Sequence, residues 1–251
     1  MKKKNSFSGF SGAFLKWLAL ISMFLDHVGA VLIKNGIWPQ VTGAVLGGTS
    51  FDYLPKDYRF WFHCYNILRY TGRLAFPIYC FLLVEGFFHT TDRKKYALRL
   101  GALALLSELP YDLAFYNTVF SFQLQNVFFT LLLGLLAIWG FEYIKNKRPQ
   151  SRFLPYLPVL AAMVAAYVLR TDYDAFGVLL ITLLYLLIDA RKQLCIFGGI
   201  VTLWEYTAPL AFVPIFYYNG TRGKQPPKWF FYGFYPIHLL FLWILRFLFF
   251  R

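Results

Sequence analysis

Phe14-Leu15-Lys16-Trp17-Leu18-Ala19-Leu20-Ile21-Ser22-Met23-Phe24-Leu25-Asp26-His27-Val28-Gly29-Ala30-Val31-Leu32-Ile33 is the run that decides the fold. About twenty predominantly apolar residues in helical form span the hydrocarbon core of a bilayer. Lys2, Lys3 and Lys4 precede the run and could make it imitate a secretory signal. No A-x-A cleavage pattern follows, and Asp26 and His27 interrupt the apolar stretch. The run therefore reads as a retained first transmembrane helix.

Composition extends that reading to the whole chain. Of 251 residues, 59% are apolar and 22% aromatic, with 29 Phe, 18 Tyr and 7 Trp. Charged residues make up only 15%, against about 25% in soluble domains. A soluble globule of this size could not cover so much apolar surface, and disorder requires low hydrophobicity. Seven further apolar runs follow, at about 66–89, 96–116, 124–144, 153–169, 175–190, 194–217 and 229–250. None shows the ten-residue alternation of a membrane barrel. The expected fold is all-α: a polytopic integral membrane protein, one bundle of about eight to nine transmembrane helical segments. The chain shows no repeat and no long linker, so 1–251 reads as a single domain.

The net charge of +13 follows from basic residues gathered in cytoplasmic loops and calls for no nucleic acid. Lys2–Lys4 and Lys16, then Arg93, Lys94, Lys95 and Arg99, then Lys145, Lys147, Arg148 and Arg152, then Arg191 and Lys192, fall on alternate loops. The N-terminus is accordingly expected inside a bacterial cytoplasmic (inner) membrane. Pro209 and Pro214 break the run 194–217. Two short helices returning to one side would put Arg222, Lys224 and Lys228 inside, where one crossing would put them outside. The first arrangement gives nine segments, and its broken backbone should line a cavity. The interval 34–65, rich in Trp38, Phe51, Tyr53, Phe60 and Trp61, reads as an aromatic cap on the outer surface.

Ionisable groups at bilayer depth normally face a cavity or one another. Candidates are Asp26 and His27 on the first helix, Arg69, Arg73, Glu85 and His89 on the second, Glu108 and Asp112 on the third, Glu205 in the broken run and His238 in the last helix. Arg69 and Arg73 are four apart and share a stripe. His27 is turned about 100° from Asp26, so Asp26 is expected to pair with a cation such as Arg73 while His27 points elsewhere. Imidazole is the general base available at neutral pH, which puts His27 first. Cys64, Cys80 and Cys195 form no CxxC, and no spacing suggests a metal site.

Several strings together resemble the TraX family. They are the first-helix run Leu15–Ala30, Gly72-Arg73-Leu74-Ala75-Phe76-Pro77-Ile78-Tyr79, Val84-Glu85-Gly86-Phe87-Phe88-His89-Thr90 and Ser107-Glu108-Leu109-Pro110-Tyr111-Asp112-Leu113. Gln125-Asn126-Val127-Phe128-Phe129-Thr130, Asp172-Tyr173-Asp174, Tyr217-Tyr218-Asn219-Gly220 and Phe231-Tyr232-Gly233-Phe234-Tyr235-Pro236-Ile237-His238-Leu239 complete the set. The family's usual glycine after Asp-Tyr is Asp174 here. The resemblance implies a branch of the transmembrane acyltransferases, named for a conjugation protein that acetylates pilin. It implies transfer of acetyl from acetyl-CoA to an unidentified acceptor: a pilin-like N-terminus, an amino sugar or an envelope polymer.

On that reading His27 is the base and Arg73 the oxyanion partner, with Asp26, Glu85 and His238 orienting His27 or closing the tunnel. Arg93, Lys94, Lys95, Arg99, Arg222 and Lys224 would meet the phosphates of acetyl-CoA, and no metal is required. A proton-coupled transporter would also carry buried charges, though it usually shows an inverted repeat. A non-catalytic assembly factor for a pilus or envelope complex is the third alternative.

Overall fold

The computed structural model describes residues 9–42, 56–225 and 227–250. Among these, helices follow one another with no strand between. They are α1 (Gly12–His27), α2 (Trp38–Thr42), α3 (Lys56–Gly72), α4 (Ala75–His89), α5 (Arg93–Tyr116), α6 (Val127–Lys147), α7 (Leu157–Val168), α8 (Asp174–Leu186), α9 (Arg191–Val201), α10 (Phe212–Phe216) and α11 (Lys228–Phe249). Four helical stretches, Gly12–Gln40, Asp57–His89, Val127–Lys147 and Trp229–Phe249, are long and apolar enough to cross a bilayer. α7 and α8 are apolar but only 12 and 13 residues long. α5 has the length, at 24 residues, but carries Arg93, Lys94, Lys95, Arg99, Glu108 and Asp112. The chain is an all-α membrane protein.

Two sequence features shape the centre of this bundle. α1 starts at Ser11, whose side chain accepts from the Phe14 N–H at 3.3 Å. Directly after His27 the helix widens into π-helical turns over Val28–Ile37, a form that recurs at functional sites. Pro77 breaks the second long stretch. Its ring clashes with the carbonyl four residues back, that of Arg73, and α3 ends at Gly72 before α4 begins at Ala75. At the break α1 approaches so closely that a Cβ on Gly72 would overlap Asp26. Gly72→Ala should therefore push Asp26 off its partner and destabilise the protein by about 1–3 kcal/mol, as overpacking does. Thermal unfolding in detergent measures this, and an unchanged midpoint would contradict the close approach.

The broken run 194–217 forms a re-entrant hairpin. α9 rises, tight 3₁₀ turns cross at Leu203–Glu205 and Ala208–Ala211, and α10 returns. The segment after it is tied to the start of α1. Phe10 N–H donates to Tyr217 O at 2.9 Å, Gly12 N–H to Thr221 O at 2.8 Å and Ala13 N–H to Arg222 O at 2.9 Å. Residues 217–222 and the start of α1 thus share one end of the bundle, here the near end. Of the two arrangements open in the sequence, this is the returning pair.

The interval 34–65 differs from the expected cap. Residues 34–42 continue the first helical column and 56–65 open α3, while Phe51 and Tyr53 lie outside the described residues. Trp38 packs on Tyr65 with ring centroids 4.6 Å apart, so its aromatics join two helices. The core lies around α4, α6 and α8, with Ile78, Phe81, Leu135, Ile181 and Leu184 fully buried. Cys80 packs into it, and all three cysteines are free.

A candidate acyl-transfer cavity

Between α1, α3, α5 and α11 lies a cavity of about 270 Å³. Its wall runs from Met23 and Tyr79 near mid-bundle to Lys34, Asn35 and Tyr116 toward the far end. Asp26, His27, Arg69, Arg73, Asp172 and Tyr173 all border it. Polar side chains therefore meet there from α1, from α3, from the break before α4 and from the turn before α8.

His27 Nδ1 lies 2.7 Å from His238 Nε2. The two imidazoles lie nearly coplanar and meet edge to edge through this bond, with centroids 5.0 Å apart and planes 6° from parallel. His238 Nδ1 lies 2.7 Å from the Phe234 carbonyl oxygen one turn earlier in α11. A carbonyl only accepts, so His238 Nδ1 carries the proton and, in the neutral ring, its Nε2 is an acceptor. His27 Nδ1 must then donate, which leaves His27 Nε2 with its lone pair. Phe115 and Tyr235 hold the His27 ring edge-on at 5.5 and 5.7 Å. Both histidines are buried, so the pair is fixed by packing as well as by hydrogen bonds.

The carboxylates and guanidiniums form two separate pairs. Asp26 pairs with a cation as expected, but the cation is Arg69 and not Arg73. Arg73 lies beyond the break that Pro77 causes, so it leaves the α3 register and turns to Glu205 at the hairpin tip, 2.8 Å away. Thr207 on the same tip donates to the Tyr70 carbonyl at 2.5 Å. The hairpin thus braces the cavity through Arg73. It lines none of that cavity; the cavity that the broken run borders is a separate, smaller one, an apolar crevice alongside, shared through Phe76 and Tyr173.

Asp172 and Tyr173 enter from the turn between α7 and α8, and no role for them was read from the sequence. Asp172 N–H donates to Gln125 O at 2.9 Å, and Thr130 donates its hydroxyl to the Asp172 carbonyl. Burial lifts the Asp172 carboxyl from the usual range to about 7, against the opposing pull of Arg73. A proton held more tightly in the folded than in the unfolded chain stabilises the fold at low pH. That contribution is complete below 3.8 and lost as pH rises through about 7. Asp172→Asn should therefore gain stability relative to wild type as pH rises from about 4 to about 7. Identical pH dependence of unfolding in the two proteins would contradict a buried titrating Asp172.

The remaining candidates lie elsewhere. Glu85 is twelve residues past Arg73, about 18 Å along the helix. It bonds the Tyr218 hydroxyl at the near end and does not border the cavity. Arg93 pairs with Glu142 and covers the Phe87 ring at 4.2 Å. Lys95 pairs with Asp92 at 3.2 Å, and Arg99 Nε donates to the Lys95 carbonyl at 3.0 Å. Lys94, Arg99, Arg222 and Lys224 are exposed. None of these six basic residues touches the cavity. Among the described residues no group of three or more His, Cys, Asp or Glu could hold a metal ion.

A helical membrane protein with a buried histidine pair and two partly buried ion pairs beside one cavity is thereby defined. Residues 11–246 match the family described as "TraX protein", and the chain belongs to the TraX family. A protein of Dichelobacter nodosus described as "Probable fimbrial assembly protein FimC, serogroup H1" is 29% identical over 269 residues, covering 96% of this chain and 97% of the relative. No solved structure matches the fold.

Proposed function

We propose that the protein is an integral membrane acetyltransferase serving pilus or envelope assembly. It takes acetyl from acetyl-CoA and transfers it to an amine or hydroxyl of an exported acceptor. The observation that carries this reading is the His27–His238–Phe234 chain, which leaves a lone pair on Nε2 of a histidine that borders the same cavity as Arg73. The name of the Dichelobacter relative supports the link to fimbrial assembly.

In this mechanism His27 Nε2 takes the proton of the acceptor as its nitrogen or oxygen attacks the thioester carbon. Arg73 faces the negative charge that develops on the acyl oxygen. When the C–S bond breaks, the His27 imidazolium returns its proton to sulfur. His238 holds the His27 ring in one tautomer, as an orienting partner does. Asp26 and Glu205 keep the two guanidiniums in place rather than exchanging protons with substrate.

The cavity fits the thioester end and a small acceptor, being below the roughly 300–1,000 Å³ of sites that enclose drug-sized ligands. The nucleotide belongs at the near end, taken as the cytoplasmic side, among the exposed Lys94, Arg99, Arg222 and Lys224. From Gly12 to Asp26 the helix rises about 21 Å, the span the pantetheine arm has to bridge. Phe24 with Phe234 and Trp17 with Phe230 pack in that interval, so these rings must part for the arm. Replacing Lys94 and Lys95 together by Glu should raise the KM for acetyl-CoA several-fold with kcat little changed. An unchanged KM would remove that patch from nucleotide binding. The reading itself is tested by incubating the purified protein with acetyl-CoA and acceptor amines, peptides and amino sugars while free CoA is quantified.

A further inference from the structure

We propose that Tyr173 is a catalytic residue whose hydroxyl, polarised by Arg73, donates a hydrogen bond to the acyl oxygen as it becomes an oxyanion. The inference deepens the acyl-transfer reading and rests on it. Tyr173 has φ 65° and ψ 0°, and Asp174 after it has φ 48°. Two consecutive non-glycine residues in the left-handed region are strained, and such strain persists only where the surroundings over-determine it.

The surroundings do so here. Gln125 N–H donates to Arg170 O at 2.9 Å, and Asp174 N–H donates to Thr171 O at 2.9 Å. The Tyr173 ring lies flat on Phe76, with centroids 3.6 Å apart and planes 4° from parallel. Gly177 sits beneath it, where a Cβ would come within 3.1 Å of the Tyr173 Cβ. Backbone and ring are thus fixed independently, and what they fix is a phenol at the cavity wall.

Arg73 gives that phenol its chemistry. Its guanidinium lies within hydrogen-bonding reach of the Tyr173 hydroxyl at the same cavity wall. A guanidinium only donates, so the phenol oxygen accepts and its own O–H proton remains available to another acceptor. Arg73 draws electron density from the phenol and strengthens that donor. Among the other cavity tyrosines, Tyr65 packs on Trp38, Tyr116 is engaged with Tyr111, and Tyr235 packs against both histidines.

In the reaction step the acceptor–carbon bond forms and the carbonyl π pair moves to oxygen. That oxygen accepts from the Tyr173 O–H and faces Arg73, and no proton moves from tyrosine. On collapse the C–S pair leaves with sulfur, which takes the proton held on His27. Atoms, charge and protons balance without a further reactant.

The test uses the full chain in detergent with acetyl-CoA and hydroxylamine, a nucleophile small enough for the cavity, measuring free CoA and acetylhydroxamate. Tyr173→Phe keeps the ring on Phe76 and removes the hydroxyl. It should lower kcat about 10²–10³-fold, with the KM for acetyl-CoA within twofold and unfolding unchanged. Wild-type kcat in Tyr173→Phe would overturn the role of Tyr173 and leave acyl transfer intact. No CoA release by the wild type would overturn both. If Tyr173→Phe unfolds, 3-fluorotyrosine at position 173 keeps ring and hydroxyl while making the phenol more acidic. Its kcat should then differ from wild type, and an identical kcat would contradict the proposal.

Discussion

His27→Ala is expected to lower acetyl-CoA-dependent CoA release by about 10²–10⁴-fold, the usual contribution of a positioned general base. At about 1.36 kcal/mol per decade this is roughly 3–5 kcal/mol of transition-state stabilisation. His27 Nε2 has no substitute at its position, because Asp26 is bound to Arg69 on a different face of α1. The variant should still fold, since alanine is tolerated in a helix and removes no ion pair. His238→Phe should act through the same ring. It removes the acceptor for His27 Nδ1 and frees the tautomer, at an expected cost of about ten- to a hundredfold. If His27→Ala retained wild-type turnover, the base would have to be sought elsewhere in the cavity, with Asp172 next.

Glu205→Ala, which removes the brace on Arg73, is expected to be the most destabilising of these substitutions. It leaves Arg73 without the carboxylate that meets it at 2.8 Å, and both side chains are largely shielded. Breaking one partner of a buried pair costs about 3–5 kcal/mol, whereas replacing both by apolar residues is often neutral. Because Arg73 opens to the cavity, the lower figure, about 3 kcal/mol, is expected. The double variant Arg73→Met with Glu205→Leu should recover most of that stability and none of the activity. Stability would then separate the brace provided by the hairpin from the chemistry provided by Arg73. Equal stability of Glu205→Ala and wild type would show that the hairpin tip is held by Thr207 and packing alone.

Much of this was legible in the chain before folding. Long apolar runs with few interruptions can only be buried in one another or in lipid, so the spanning helices announce themselves. Pro209 and Pro214 likewise mark a segment that cannot be one straight helix, and the basic residues after it already favoured the returning pair. His27 and His238 stood out as ionisable groups where ionisation is expensive. Their mutual bond could not be read, because α1 and α11 are joined by no local pattern.

Other details depended on a single backbone event. Arg69 and Arg73 share a stripe only if the helix is continuous. Pro77 ends it at Gly72, and the partner of Asp26 becomes Arg69. Glu85 carries the same kind of charge as Asp26 but sits about three turns past Arg73, which spacing along one helix cannot relate to a cavity between four. Asp172 and Tyr173 were hidden for the opposite reason. They lie in a short turn, where polar and aromatic residues look ordinary. Only the left-handed backbone and the ring stack on Phe76 show that the Tyr173 side chain is aimed.

The central claim is tested most directly by one assay. Purified wild-type protein and His27→Ala are each given radiolabelled acetyl-CoA with hydroxylamine and with pilin-like peptides, and free CoA and labelled product are measured together. Acyl transfer requires that the wild type release CoA and form acetylated product in equal amounts, and that His27→Ala do neither above background. Bound acetyl-CoA that is never cleaved with any acceptor, or cleavage that survives the loss of His27, would contradict it.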